Sequence, residues 1–164
     1  MPNAIALTAT YGLPVILVAA AVVWWRSPRD DKVTMATALL LGVLIGAGLL
    51  LASAMAWNDP RPFVVDGIPP LLPHAADNGF PSDHTTASAL VAGVVLCFQR
   101  RAGIALLALA TAVGAARVAA HVHHIPDVMA GLLIGVGAAL LGVVLARIAV
   151  GVADRVHGAA NPIR

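Results

Sequence analysis

VTMATALLLGVLIGAGLLLASAMAW, Val33 to Trp57, carries no charged side chain over its whole length, and a bilayer core about 30 Å thick asks for roughly 20 such residues in a helix. In hydrocarbon the backbone must pair its polar groups within its own segment, so this run predicts a membrane-spanning α-helix. Gly42, Gly46 and Gly48 suit close packing against neighbouring helices. Upstream, Ala4 to Trp25 is another run of spanning length, closed by Trp24 and Trp25 as interfacial anchors before the polar turn Arg26 to Lys32. No basic residue precedes this first run, which argues against a cleaved leader. Downstream, a third run begins near His84 and stops at Gln99-Arg100-Arg101. It is short, so Thr85 and Thr86 are expected in the same helix. A fourth covers Ala102 to about Ala120, and a fifth Val128 to about Val150, with Gly131, Gly135, Gly137 and Gly142 along it and a polar tail beyond. The expected fold is all-α: one polytopic transmembrane helical bundle of about five spans, a single domain over residues 1–164.

Composition agrees, with 60% of residues apolar, 11% charged and no Glu. A net charge of +2 from ten dispersed Lys and Arg residues makes no basic stripe, which excludes nucleic acid as a partner. Cys97 stands alone in an apolar run, so no disulfide and no cysteine metal site is expected, and it reads as a packing residue.

Cytoplasmic loops of membrane proteins retain Lys and Arg. With five spans, Arg26, Arg29, Lys32, Arg100, Arg101, Arg147, Arg155 and Arg164 all fall on one side. Arg61 and Arg117 fall on the other, with Asp59, Asp66, Asp77, Asp83, Asp127 and five of the six histidines. The polar chemistry therefore gathers at the outer interface, with the N-terminus outside and the C-terminus in the cytoplasm.

Three clusters lie at that face: Arg61-Pro62-Phe63, Phe80-Pro81-Ser82-Asp83-His84, and Arg117 with His123 and Asp127. Taken singly, Arg-Pro after a helix can be a stop and an anchor, and Pro-Ser-Asp a helix cap. Arg117 resists such a reading, because a cation inside an apolar run is costly unless paired or facing a polar cavity. Together the clusters describe a site for a phosphate monoester or diphosphate. Arg61 and Arg117 can grip phosphoryl oxygens by bidentate hydrogen bonds, and the helix start at Ser82, Asp83 and His84 adds backbone N–H groups and a positive dipole end. His123 and Asp127 are four apart. If the chain around Pro126 turns helically, the carboxylate reaches one imidazole nitrogen and leaves the other free to attack. His84 then serves as general acid and afterwards as general base. The run His121-Val-His123-His124 raises zinc, but no HExxH or cysteine pair accompanies it. No metal or cofactor is expected, and His121 and His124 read as interfacial polar residues. His157, in the tail, has no evident partner.

In this order the residues resemble the type-2 phosphatidic acid phosphatase superfamily, whose signature has three parts: Lys, six residues and Arg-Pro; Pro-Ser-Gly-His; and Ser-Arg, five residues, His, three residues and Asp. Arg61 and Pro62 match the first part, Pro81, Ser82 and His84 the second, and Arg117, His123 and Asp127 the third. Ala54 stands at the Lys position, Asp83 at the Gly and Ala116 at the Ser before Arg. The stretch from Pro73-His74-Ala75-Ala76-Asp77 to Phe80-Pro81-Ser82-Asp83-His84 is similar to the bacitracin-resistance branch of undecaprenyl-diphosphate phosphatases, in which Asp replaces that Gly.

The resemblance implies a metal-independent phosphatase of the bacterial cytoplasmic membrane that acts through a phosphohistidine. His123 would be the nucleophile, His84 the acid and base and Asp127 the support of His123, while Arg61, Pro62, Ser82, Asp83 and Arg117 would hold the substrate. The substrate would be undecaprenyl or another polyprenyl diphosphate. Alternatives are phosphatidic acid or phosphatidylglycerol phosphate, or a non-catalytic lipid-phosphate binder. The family is usually drawn with six spans, so the missing one is expected to be the first. Glycine-rich faces leave room for homo-oligomers.

Overall fold

The computed structural model describes residues 3–160, the side chains of 154 and 156–160 excepted. Arg164 lies outside the described residues, as does the side chain of His157. Six helices follow one another: α1 Ala4–Arg26, α2 Arg29–Ala56, α3 Pro62–Asp66, α4 Asp83–Phe98, α5 Arg100–Ala119 and α6 Ile125–Ala160. Helices α1, α2, α5 and the part of α6 from Ile125 to Ala153 are each long and apolar enough to cross a membrane. Helix α4 has 16 residues, about 24 Å at 1.5 Å per residue. It makes a fifth apolar element and is shorter than the others.

Local chemistry sets the boundaries. Asn3 caps α1, its Oδ1 accepting from the Ala6 amide at 2.8 Å. Pro28 separates α1 from α2, where Asp30 and Asp31 lie in the first turn and complement the helix dipole. The Trp24 indole donates to the Lys32 carbonyl at 3.0 Å, and the Lys32 ammonium lies over the rings of Trp24 and Trp25. Only Gln99 separates α4 from α5. Two boundaries differ from the hydropathy reading. Helix α6 starts at Ile125, three residues ahead of the apolar run, because Pro126 is well suited to a first helical turn, and it continues through the polar tail to Ala160. The short α3 was not expected: Pro62 starts it and Gly67, at φ 73°, ends it.

Burial runs opposite to that of a water-soluble protein. Val18, Leu44, Leu51 and Leu133 are 62–74% exposed, while Ser82, Thr85, Ser88, Arg117, His123 and Asp127 are buried. Helix α4 occupies the centre, touching α1, α2, α5 and α6. Ten of its residues are buried, so it needs little lipid-facing length. Small residues let the backbones meet. Along α6, a Cβ on Gly131 would fall 2.8 Å from the Ser82 carbonyl, one on Gly135 would overlap the Thr86 carbonyl, and one on Gly142 would fall 2.6 Å from the Ala38 carbonyl. These contacts advance together along α4 and α6, so the two helices run parallel and start at the same end of the bundle.

Gly135→Val should therefore disrupt the α4–α6 contact, at a cost of about 1–3 kcal/mol or more, while Gly137→Ala, with nothing within 4 Å of its Cβ, should be neutral or slightly stabilising. Thermal unfolding of both variants in detergent reads the difference. Equal melting temperatures would show that α4 and α6 are not in backbone contact.

Candidate active site

Loops and helix ends from five segments meet where α4 and α6 begin. The Ser82 amide donates to the Asp127 carbonyl at 3.1 Å, joining the two helix starts. The Gly79 amide donates to the Asp59 carbonyl at 2.8 Å, and the Leu71 amide to the Ala120 carbonyl at 3.0 Å, which lays the α3–α4 loop over the α5–α6 turn. Asn78 is the chief tie of that loop. Its Oδ1 accepts from the amides of Asp59 and Phe80, and its Nδ2 donates to the carbonyls of Ala54 and Trp57.

His123, 1% exposed, lies just ahead of α6. The first turn of α6 forms around Pro126 and brings Asp127 back under it, with Oδ2 3.3 Å from His123 Nδ1. The same oxygen accepts the His124 amide at 2.8 Å. The carboxylate favours the proton on Nδ1 and leaves the Nε2 lone pair free. Nε2 faces Arg61 Nη1 at 3.3 Å and Arg117 Nη2 at 3.5 Å. An imidazole nitrogen with an available lone pair thus faces two guanidinium groups able to hold an anion.

Both guanidinium groups are buried. Arg61 donates from Nε to Asp77 Oδ1 at 2.6 Å and from Nη1 to the Val122 carbonyl at 2.8 Å, and Pro62 after it is buried as the first residue of α3. Arg117, in the last turn of α5, donates from Nη2 to His74 Nε2 at 2.8 Å. Its Nε is buried with no partner among the described residues.

At the start of α4, Asp83 Oδ1 accepts the His84 amide at 2.7 Å and pairs with His84 Nδ1 at 3.0 Å, which leaves Nε2 of the partly exposed His84 ring open. Asp83 therefore orients His84. Ser82, expected beside the substrate, is fully buried. Its hydroxyl bonds Thr85 Oγ1 at 2.9 Å, its amide is held by Asp127 and its carbonyl accepts from Thr86. The amides of Ser82 and His84 are thus engaged within the protein rather than open to an anion.

His121 and His124, expected to be plain interfacial residues, are ties between elements. His121, at φ 64°, pairs with Asp66 Oδ2 at 2.8 Å, and His124 Nδ1 with Asp59 Oδ2 at 3.0 Å. Asp59, His124 and Asp127 bring one donor atom each within 4.8 Å of one another, a possible cation site. The loop residues His74, Asp77, Asn78 and Gly79 carry much of the site's geometry and were assigned no role from the sequence. Gly79 packs so closely that an added Cβ would lie 3.2 Å from Asp127 Oδ2. The Asn-Gly pair, a strong turn signal, is the local clue to it.

Comparisons with known proteins place the chain in a family. Residues 33–150 match the PAP2 superfamily. The chain is 33% identical over 100 residues to undecaprenyl-diphosphatase BcrC of Bacillus subtilis, covering 60% of this chain and 52% of that protein. It is 34% identical over 127 residues to the putative undecaprenyl-diphosphatase YbjG of Escherichia coli, covering 75% and 62%. Over 120 residues it is 31% identical to the bacitracin transport permease protein BcrC of Bacillus licheniformis, covering 73% and 59%. The chain thus spans between half and two thirds of the length of these relatives. The crystal structure of LpxE from Aquifex aeolicus shares the fold, with a TM-score of 0.69 at 22% identity, covering 84% of this chain and 82% of that one.

The Arg61 guanidinium holds the Asp77 carboxyl below its ordinary range. Because the folded-state value is the lower one, this pair stabilises the protein above the ordinary carboxylate range, and its contribution is lost as pH falls through the lowered value. Asp77→Asn should lower stability modestly at neutral pH, the carboxylate being largely exposed, and should flatten the acid-side loss by the same amount. Melting temperatures in detergent between pH 3 and pH 7 test this, and an unchanged acid limb would refute it.

Proposed function

The chain belongs to the PAP2 superfamily, and from that premise we propose that it is a membrane lipid phosphatase, hydrolysing undecaprenyl diphosphate or a similar polyprenyl diphosphate to the monophosphate and inorganic phosphate. The observation that carries this reading is His123: a carboxylate at Nδ1 and two guanidinium groups before Nε2. In the first step Nε2 attacks the terminal phosphorus. The N–P bond forms, the bridging P–O bond breaks, and the departing oxygen takes the proton from His84 Nε2. Asp127 stabilises the imidazolium character that develops on His123, while Arg61 and Arg117 bind the equatorial oxygens as charge shifts in the transition state. In the second step His84 takes a proton from water, the water oxygen attacks phosphorus, and the N–P electron pair returns to Nε2. Both steps use side chains of this chain.

A lipid substrate is favoured by an apolar groove of about 390 Å³ between α1, α2 and α4, which begins at Asp83 and Thr86. It shares Leu17, Leu39 and Val91 with a second groove of about 310 Å³ that continues to Trp24. A hydrocarbon chain lying there would leave its phosphate end beside His84. The membrane reading rests on the apolar helices. The outward-facing site and the cytoplasmic C-terminus rest on the one-sided Lys and Arg distribution, in a bacterial cytoplasmic membrane. Residues 1–164 would act as one domain.

Phosphate release from undecaprenyl diphosphate by the purified protein in detergent is expected to persist in EDTA and to fall by more than about 10³-fold in His123→Ala. His84→Ala should lose about 10²–10⁴-fold, and less on p-nitrophenyl phosphate, whose leaving group needs no proton. Retained turnover in His123→Ala would overturn the mechanism. Loss to EDTA would bring the Asp59–His124–Asp127 cluster into play as a metal centre. Faster release from phosphatidic acid or phosphatidylglycerol phosphate would change the substrate, and no release from any of these lipids would indicate a binder.

A further inference from the structure

Arg117 is the less compensated of the two guanidinium groups. Among the described residues no ion pair joins it to a carboxylate, and its close polar partners are imidazole nitrogens, His74 Nε2 at 2.8 Å and His123 Nε2 at 3.5 Å. His74 comes from the loop between α3 and α4, partly buried, with its ring edge-on to that of His123 at a centroid separation of 6.3 Å. Accepting from Arg117 requires a lone pair on Nε2, and Nδ1 approaches the Ala75 carbonyl at 3.4 Å. The free site therefore holds His74 neutral, with its proton on Nδ1. The groups that face it are Arg61, Arg117, Asp77 and the His123 ring. Burial is the main influence lowering its proton affinity, followed by the two guanidinium groups, with the Ala75 carbonyl and then Asp77 opposing them.

An anion seated before His123 changes the sign of this environment. It neutralises the two cations that repel a proton from His74 and itself attracts one. Two permanent cations also fall short of a diphosphate, whose negative charge exceeds two near neutral pH. We propose that His74 is a third ligand of the bound phosphoryl group: the neutral acceptor of Arg117 in the free site, and an imidazolium donating Nε2–H to an anion oxygen in the occupied one. The proton comes from solvent, so anion binding and proton uptake are coupled, and binding tightens as pH falls through the neutral range. This rests on the reading of the site as a phosphate site. It adds a ligand that responds to the charge of what binds, and it releases Arg117 Nη2 from His74 to turn onto the anion.

Sulfate is the probe, because it is a dianion throughout pH 5.5–8.5 and adds no titration of its own. Isothermal titration of sulfate into the full chain in detergent, in buffers of differing ionisation heat, reads affinity and proton uptake together. His74→Gln is the deciding variant, since its amide oxygen can still accept from Arg117 but it can never carry charge. It should bind sulfate roughly tenfold more weakly at pH 6, with less proton uptake than the wild type. His74→Lys, a permanent cation, should bind at pH 8 at least as tightly as the wild type and with a flatter pH dependence. Wild-type affinity and uptake in His74→Gln would overturn the proposal and leave His74 as a support for Arg117. Weaker binding by His74→Lys at pH 8, or no sulfate binding by the wild type, would also overturn it. The assay needs no turnover, so failure to hydrolyse undecaprenyl diphosphate would count against the proposed reaction and not against this ligand.

Discussion

Arg61 and Arg117 are 5% and 4% exposed in a bundle whose outer surface is largely hydrocarbon, and the polar end of the molecule is organised around the cost of keeping them there. A buried cation is tolerable only with partners that satisfy it, and each guanidinium group carries five donors in a rigid fork. Arg61 meets this need with a carboxylate, Asp77, and with the carbonyl of Val122. Arg117 has a neutral imidazole and a buried Nε with no partner among the described residues. That imbalance leaves the site under-compensated on the side facing His123, which is where an anion would be most stabilised. A buried polar group without a partner costs stability, and such unmet need at one point of an otherwise satisfied network is characteristic of a binding site.

The helices supply the platform. Small residues on α6 bring its backbone against α4 and α2, and because α4 and α6 run parallel their N-termini emerge side by side. Ser82 joins those two starts through its amide, which donates to the Asp127 carbonyl, while its buried hydroxyl bonds Thr85 within α4. His84 belongs to one start and the His123–Asp127 pair to the other. The distance between the two histidine-bearing segments is thus governed by helix packing, a stiffer constraint than any loop could impose. Glycine in these helices is a requirement of contact rather than of flexibility.

Membrane and chemistry are reconciled by geometry. Apolar side chains cover the outside, and most of the buried polar ones collect towards one end, where the α3–α4 loop closes over them through Asn78, Gly79 and Leu71. The apolar groove beside α4 opens next to Asp83. On the proposed reading, a substrate that is part hydrocarbon and part phosphate meets a matching surface along its length.

Much of this was legible in the chain. Long uncharged runs predict helices because hydrocarbon demands internally paired backbone, and four of the expected spans are long enough to cross while the fifth is the short central α4. The one-sided Lys and Arg pattern and the i, i+4 spacing of His123 and Asp127 were equally readable, since both depend on neighbours in sequence. Helix α3, the inward role of Ser82 and the contribution of the loop were not. His74 lies 43 residues from Arg117, and His124 lies 65 from Asp59. A loop has no hydrophobic period, and its conformation is set by distant partners such as the Asp59 and Ala120 carbonyls. Local spacing thus determined the helices and the His123–Asp127 pair, while tertiary packing decided which remaining polar groups surround Nε2, because only the folded bundle brings donors so far apart in sequence to one buried point.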